Sequence, residues 1–349
     1  MTPRSIELIG CGALAESVYA PVLAYLERAG RVRVTALVDP NAARTAQIGK
    51  SFPMARQFAR VEDLPAADGS LAVIASPPGV HAAQACALLA AGRHVLCEKP
   101  LATSVAEAQS MIAAAQQAAR LLAAGMMRRF YPAAQALREN LAAGWLGALT
   151  RIEIAEGGRF AWNAASPHFF DPANGGVLYD LGSHTLDLLC HFFGEPTESA
   201  AWTDALGGTN TNCLLTARWS TRLEARVRLS WDTALETGWH MQGERGECRW
   251  DGSADGSLIF RMKDAKWWLH AQAQTTPQPG ATPGWTAAFV RQFDNVLAAI
   301  DGKEKLLAPA ADVLPSLRWL ETARHEARRL PQPWLSPEEL AGAARLVQS

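Results

Sequence analysis

The chain has no excess of either charge: 33 Lys and Arg stand against 34 Asp and Glu over 349 residues, a formal net charge of −1. A nucleic-acid binder needs a basic face or stripe, so this balance excludes nucleic acid and implies a small-molecule partner. No C-x-x-C pair occurs. The six cysteines (Cys11, Cys86, Cys97, Cys190, Cys213 and Cys248) are scattered, several within apolar runs. That pattern argues against a disulfide framework and a zinc cluster and fits a reducing cytoplasm. No stretch reaches the roughly 18 uninterrupted apolar residues of a membrane span. The opening MTPRSIELIGCG has neither the longer apolar core nor the small-residue cleavage site of a signal peptide. A soluble, cytoplasmic, unprocessed chain without internal repeats or heptads is expected.

What is present is ordinary globular material, 49% hydrophobic and 19% charged, in a quantity that suits about two domains. In the first third, short apolar runs alternate with alanine-rich segments. IELIG (6–10), VTALVD (34–39), LAVIAS (71–76) and HVLCE (94–98) read as strands buried on both faces, and LLAAG (121–125) as a further one. Segments 80–91 and 104–119 between them read as helices. Strand and helix in alternation imply right-handed crossovers and a doubly wound parallel sheet, α/β in class.

Beyond about residue 126 the pattern changes. RIEIAEGGRF (151–160), NCLLTARWS (212–220) and LEARVRLSWD (223–232) alternate apolar and polar residues, as antiparallel strands with one covered face do. Further strands are expected at 239–250 and 257–263, an exposed Pro/Gly/Thr loop at 274–284, and helices at 285–301 and near 311–329. The expected division is residues 1–124 as the first domain and 125–349 as an α+β second domain.

Gly10-Cys11-Gly12-Ala13-Leu14-Ala15 is a G-x-G-x-x-A run directly after the first strand and before a helix. Glycines there let backbone approach a pyrophosphate, while the helix N-terminus offers N–H groups and a positive dipole end. The same run also suits a plain tight turn. Asp39 closes the second strand, 24 residues after Ala15, where a carboxylate accepts from both adenosine-ribose hydroxyls and repels a 2′-phosphate. It favours NAD over NADP, with Arg44 nearby leaving dual use open; the alternative is an aspartate capping the helix that begins near Asn41.

Glu98-Lys99-Pro100 follows the fourth strand. At the carboxyl edge of a parallel sheet, where ligands sit, the proline gives the lysine a defined direction. Asp180 and His184 are four residues apart in GGVLYDLGSHTLDLL (175–189) and share a face if a helix starts there. An aspartate beside a histidine orients the ring for taking a proton from an alcohol. An N-cap and a core histidine fit the same spacing. His184, Asp187 and His191 do not complete a metal shell, so no metal is expected. RFAWNAASPHFFDP (159–172) gathers aromatics and reads as a substrate-side loop, with Trp162 and His168 as preferred contacts, or equally as a hydrophobic plug.

Together IGCGALA, the Asp39 strand end, ASPPGVHAAQACALLAAGRHVLCEKPLA (75–102), MMRRFYP (126–132) and the 175–189 run resemble the glucose-fructose oxidoreductase, inositol dehydrogenase and rhizopine-catabolism (Gfo/Idh/MocA) family, in order over nearly the whole chain. The resemblance implies a Rossmann domain and an α+β domain with a large, mostly antiparallel open sheet that mediates homo-oligomerisation, as dimer or tetramer. It implies Lys99 on the substrate hydroxyl, Asp180 and His184 as the acid/base pair, and Glu98 on the nicotinamide ribose. Ser76, Pro77 and His81 match the second cofactor loop, and Arg128 or Arg129 lines the cofactor or substrate site. Ala15 replaces the frequent third glycine, and Gly175-Gly176-Val177 shortens the usual triple glycine. The expected activity is NAD-dependent hydride transfer from a secondary alcohol of a sugar, cyclitol or sugar derivative. A redox-neutral NAD-dependent glycoside hydrolase and a non-catalytic dinucleotide sensor are the alternatives.

Overall fold

The computed structural model describes residues 3–66, 69–161, 167–171, 175–205, 208–272, 285–331 and 336–338. It divides into two compact units, Met1–Phe130 with Asn163–Ser166 and Thr276–Leu314, and Tyr131–Trp162 with Pro167–Thr275 and Pro315–Ser349. No helix among the described residues is long and apolar enough to cross a membrane.

The first unit holds a six-stranded parallel sheet: β1 (Arg4–Ile9), β2 (Val32–Val38), β3 (Arg56–Phe58), β4 (Leu71–Ile74), β5 (His94–Glu98) and β6 (Leu122–Gly125), in the order β3-β2-β1-β4-β5-β6. Pairing is parallel throughout. The order reverses between β1 and β4, and the crevice outside the strand ends at such a switch point is where open α/β sheets bind ligands. β4 is buried along its whole length and β5 from Val95 to Glu98, which is why these runs are continuously apolar rather than alternating. Crossovers are made by α1 (Ala20–Arg28), α2 (Ala42–Gly49), α3 (His81–Ala90) and α4 (Val105–Gln117). Ser104 caps α4, its Oγ accepting from Glu107 N, and Glu107 Oε2 reaches back to accept from Thr103 N just before the cap. Inside the sheet, Arg93 at the entry to β5 is buried against Glu7 of β1 (Nε to Oε2 2.5 Å) and donates to Pro65 O.

A single cut at 124/125 does not describe these units. Thr276–Leu314 returns to the first one, carried by α7, which follows the second-unit sheet in the chain (Trp285–Ile300). Phe289 and Phe293 of α7 meet Tyr19 edge-on at 5.6 and 6.1 Å, Arg291 donates to Phe130 O, and Ala124 N donates to Ala308 O beside β6. Burial of aromatic faces recruits a helix that sequence order places elsewhere.

The second unit carries a nine-stranded sheet. Its members are β7 (Leu149–Gly157), β8 (Glu198–Thr203), β9 (Asn212–Arg218), β10 (Glu224–Ser230), β11 (Gly238–Gly243), β12 (Gly246–Trp250), β13 (Ser257–Met262), β14 (Leu269–Gln272) and β15 (Arg328–Arg329), in the order β14-β13-β12-β11-β7-β10-β9-β8-β15. All pairs are antiparallel except β7–β10 and β8–β15. The stretch 239–250, where strand is expected, is a hairpin, because Gly243 and Gly246 bracket a turn in which an added Cβ would strike Leu146 O at 2.4 Å or Arg261 O at 2.3 Å. Alternation along β9 and β10 buries Cys213, Leu215, Ala217, Ala225, Val227 and Leu229 on one face. Three further helices belong with this sheet, α5 (Pro132–Ala142), α6 (Ser183–Phe193) and α8 (Leu314–His325), and the expected helix near 311–329 ends at His325. The expected loop at 274–284 lies outside the described residues.

Candidate active site

The first unit builds a cradle around Gly10. Its φ is +87°, a conformation a side chain tolerates poorly, and a Cβ would lie 2.5 Å from Ser76 N. The glycine therefore lets the loop after β1 close against the loop after β4. The helix that follows starts at Ala13 and takes one π-helical turn over Ala15–Tyr19 before continuing as α1. Pro21 has no N–H to give a regular i−4 bond, and the wider turn, with Ala20 N donating to Ala15 O, accommodates it. Gly12, Ala13 and Leu14 form the first turn, whose N–H groups are left over by any helix start and suit a phosphate. Ala15 is buried.

Asp39 is buried, its Oδ2 accepting from Cys11 N at 2.9 Å and Oδ1 from Asn41 N at 2.8 Å. The helix cap is Asn41, whose side chain accepts from Ala43 N, so Asp39 anchors the glycine loop rather than capping α2. Two of the roughly four lone-pair sites of a carboxylate are used, leaving acceptors for ribose hydroxyls. Burial, helped by Asp39, pushes the Cys11 thiol up to about 12, so no thiolate competes for the loop.

The loop after β4 is held from behind. His81 is fully buried with Nε2 2.8 Å from Ser76 O and Nδ1 3.0 Å from Pro100 O, joining this loop to the turn after β5. Burial pulls its imidazole below the ordinary 6.5. The cofactor contact expected of His81 is thus replaced by a bracing role. Ser76 Oγ bonds Gln84 Oε1 at 2.6 Å, and Pro77 is exposed.

Glu98 is buried as well. Its Oε1 accepts from Tyr19 OH at 2.5 Å and its Oε2 from Lys99 N at 3.0 Å. Burial raises the Glu98 carboxyl and the Tyr19 phenol above their ordinary values. Both oxygens help to fix the lysine turn, and as in Asp39 the remaining lone-pair sites leave room for the ribose contact expected of Glu98. Gly125 on β6 makes room, since a Cβ would come within 2.9 Å of Glu98 Cα. Lys99 follows, half-buried, at the carboxyl edge of β5.

The two arginines separate. Arg128 is half-buried. Arg129 is 1% exposed and donates to Leu307 O and Asp312 O, so the substrate contact expected of it is corrected to a link between β6 and the segment after α7.

In the second unit, a π-helical turn over Leu178–Gly182 runs directly into α6. Asp180 sits in that turn and His184 in the first turn of α6, both half-buried, so the helix start predicted for this pair is present. The entry turn is fixed by Asn210, which accepts from Leu178 N at 3.0 Å and lies where a Gly176 Cβ (φ +87°) would be. Gly182 packs against Leu229 of β10, and buried Thr185 bonds Glu156 of β7 at 2.9 Å. Asp180 Oδ2 accepts from Trp231 Nε1 at 3.3 Å. The indole is a partner that sequence reasoning missed; only its place at a strand end hinted at it. Trp162 lies outside the described residues, as does the side chain of His168. Phe160, Phe169 and Phe170 cluster with Trp231 at centroid distances from 4.6 to 6.2 Å.

A parallel sheet with its switch point at a glycine loop, an acid at the end of β2 and a lysine beyond β5 defines a Rossmann-type dinucleotide-binding protein with an attached α+β unit. Residues 4–126 match the family model described as "Oxidoreductase family, NAD-binding Rossmann fold", and residues 134–249 match "GFO/IDH/MocA C-terminal domain". The chain belongs to the Gfo/Idh/MocA oxidoreductase family. Human trans-1,2-dihydrobenzene-1,2-diol dehydrogenase is 36% identical over 157 residues, 42% of this chain and 46% of that protein. The chain thus spans about half the length of the curated relatives it matches. An oxidoreductase from Agrobacterium radiobacter, solved with NAD+, L-tartaric acid and magnesium, superposes with TM-score 0.80 at 20% identity over 94% of this chain and 96% of that one. The WlbA dehydrogenase from Bordetella pertussis, solved with NADH and UDP-GlcNAcA, gives 0.77 at 22% identity over 93% and 96%. These two likenesses show the fold.

Gly10→Ala is expected to cost more than about 1 kcal/mol of stability, since both φ and the Ser76 approach oppose a side chain, and to weaken NADH at least about tenfold. Thermal unfolding with and without NADH checks this; an undiminished shift by NADH contradicts the cradle.

Proposed function

We propose that this protein is an NAD-dependent dehydrogenase that oxidises a secondary alcohol of a sugar, cyclitol or related cyclic compound. One observation carries the reading. The carboxyl edge of a single sheet bears both a cradle shaped for a dinucleotide, with Gly10 against Ser76 and a buried Asp39, and a lysine fixed by Glu98 one strand further on. A sensor of nucleotide occupancy has no need of the lysine. When bound, NAD supplies the hydride acceptor.

The chain supplies the rest. Lys99 Nζ hydrogen-bonds the reacting oxygen and stabilises the negative charge that develops there. His184 takes the hydroxyl proton, and Asp180 orients the imidazole and matches the charge it acquires. Asp39 accepts from the adenosine-ribose hydroxyls and repels a 2′-phosphate, which favours NAD over NADP. In this reading Arg128 contacts the cofactor. The relative named a diol dehydrogenase and the neighbour solved with a nucleotide sugar both support a cyclic alcohol as substrate.

Assembly as a homo-oligomer through the open face of the second sheet belongs to the same reading. Across that face the register places Glu198 by Arg218, Arg218 by Glu224, Glu224 by Arg151, and Arg226 by Glu153. A row of alternating sign complements itself after a two-fold rotation.

Incubation with NAD and a panel of sugars, inositols, cyclic diols and nucleotide sugars, followed at the NADH absorbance, tests the activity. Net NADH with at least one cyclic alcohol is expected. Cleaved glycoside without NADH would make the chain a redox-neutral hydrolase, and cofactor binding with neither product would make it a sensor.

A further inference from the structure

We propose that Trp231 is the positioning residue for Asp180, setting the direction of its carboxylate through the indole N–H. The proposal rests on the reading of Asp180 as half of the acid/base pair. Trp231 stands just beyond the end of β10, 6% exposed, and is fixed before it meets the carboxylate. Its backbone N–H donates to Thr211 O at 2.8 Å and its carbonyl accepts from Phe160 N at 2.8 Å. The ring packs on Phe160 at 4.6 Å with planes tilted by 49°, and on Phe170 edge-on at 6.2 Å. The indole Nε1 then reaches Asp180 Oδ2 at 3.3 Å. At that distance the bond is near its useful limit, so its contribution is direction more than affinity, as a buried indole N–H needs an acceptor and finds this one.

The loop between β8 and β9 supplies the register. Asn210 holds the turn that carries Asp180 by accepting from Leu178 N, and its neighbour Thr211 holds Trp231. Donor and acceptor are thereby tied to consecutive residues of one short segment. Behind it, Asp204 accepts from Thr211 N and Asn212 N, both at 2.9 Å, and Asn212 Nδ2 reaches Asp232 Oδ2 at 2.9 Å. Asp180 therefore inherits its orientation from the second unit's own sheet.

Trp231→Phe keeps a ring for Phe160 and Phe170 and removes only the donor. With NAD and the alcohol found by the panel, kcat is expected to fall between about 10- and 100-fold, with the NAD dissociation constant within about twofold. In the Asp180→Asn background the same substitution is expected to change kcat less than about twofold, because the group it acts through is already gone. Equal losses in both backgrounds, or a loss confined to KM, overturn the proposal.

Crystal structures judge it independently of turnover. In the Trp231→Phe variant the Asp180 carboxylate is expected to rotate or to occupy more than one conformer; a single unchanged rotamer overturns the proposal. So does a wild-type crystal structure with the indole nitrogen beyond about 4 Å from both carboxylate oxygens, a reading that needs no variant. If wild type forms no NADH with any alcohol, the dehydrogenase reading fails and the crystallographic arm alone decides the role of Trp231.

Discussion

Lys99→Ala is expected to lower kcat/KM for alcohol oxidation about 10³-fold while NADH affinity stays within about threefold. The size follows from removing one preorganised donor at an oxygen that gains charge, a loss of about 10²–10³ in kcat, plus poorer placement of the hydroxyl. The affinity should survive because the cradle is held by other groups. Asp39 fixes the glycine loop through Cys11 N, His81 braces the Ser76 loop, and Glu98 accepts from the backbone N–H of Lys99, which the substitution keeps. Steady-state rates set beside a fluorescence titration with NADH separate the two effects. Full turnover in the variant would remove Lys99 from the mechanism.

His184→Ala is expected to cost between about 10² and 10⁴ in kcat, the range for loss of a general base. The deficit should narrow as pH rises, since hydroxide increasingly takes the alcohol proton without help. Asp180→Asn should fall on the same path with a smaller loss, because it disturbs the base without deleting it. A pH–rate profile of the three proteins checks the order. A His184→Ala deficit that stays constant from pH 6 to 10 would assign the proton to another group.

Five of the six strands of the first sheet were legible, because they are largely buried and appear as short apolar runs, and the punctuation by Gly10, Asp39 and Glu98-Lys99-Pro100 falls at their carboxyl ends. The edge strand β3 is exposed, carries no apolar run and escapes the reading. What periodicity cannot carry is partnership at long range. Glu98 reads as a candidate ligand, and nothing local in the sequence shows that Tyr19, 79 residues away, also donates to it. Arg129 reads as a candidate for the substrate site until the carbonyls of Leu307 and Asp312 claim it. The Trp231 indole lies 51 residues from Asp180, and neither spacing nor composition marks the pair. Segment 276–314 was assigned by position in the chain, whereas the edge-on aromatic contacts with Tyr19 decide where α7 packs. The hairpin at 238–250 was missed because its two glycines are demanded by neighbouring carbonyls and not by local sequence.

Asp39 bears on attempts to redesign nucleotide preference. If Asp39 repels a 2′-phosphate as proposed, deleting its charge removes that repulsion, yet the same carboxylate terminates two backbone donors, those of Cys11 and Asn41. Alanine or glycine at this position would strand the buried Cys11 N–H, at about 1–3 kcal/mol, and leave the N–H of exposed Asn41 to water. The accessible evolutionary route to the phosphorylated nucleotide therefore runs through short uncharged acceptors such as serine or asparagine, with the new cation recruited from a neighbouring position.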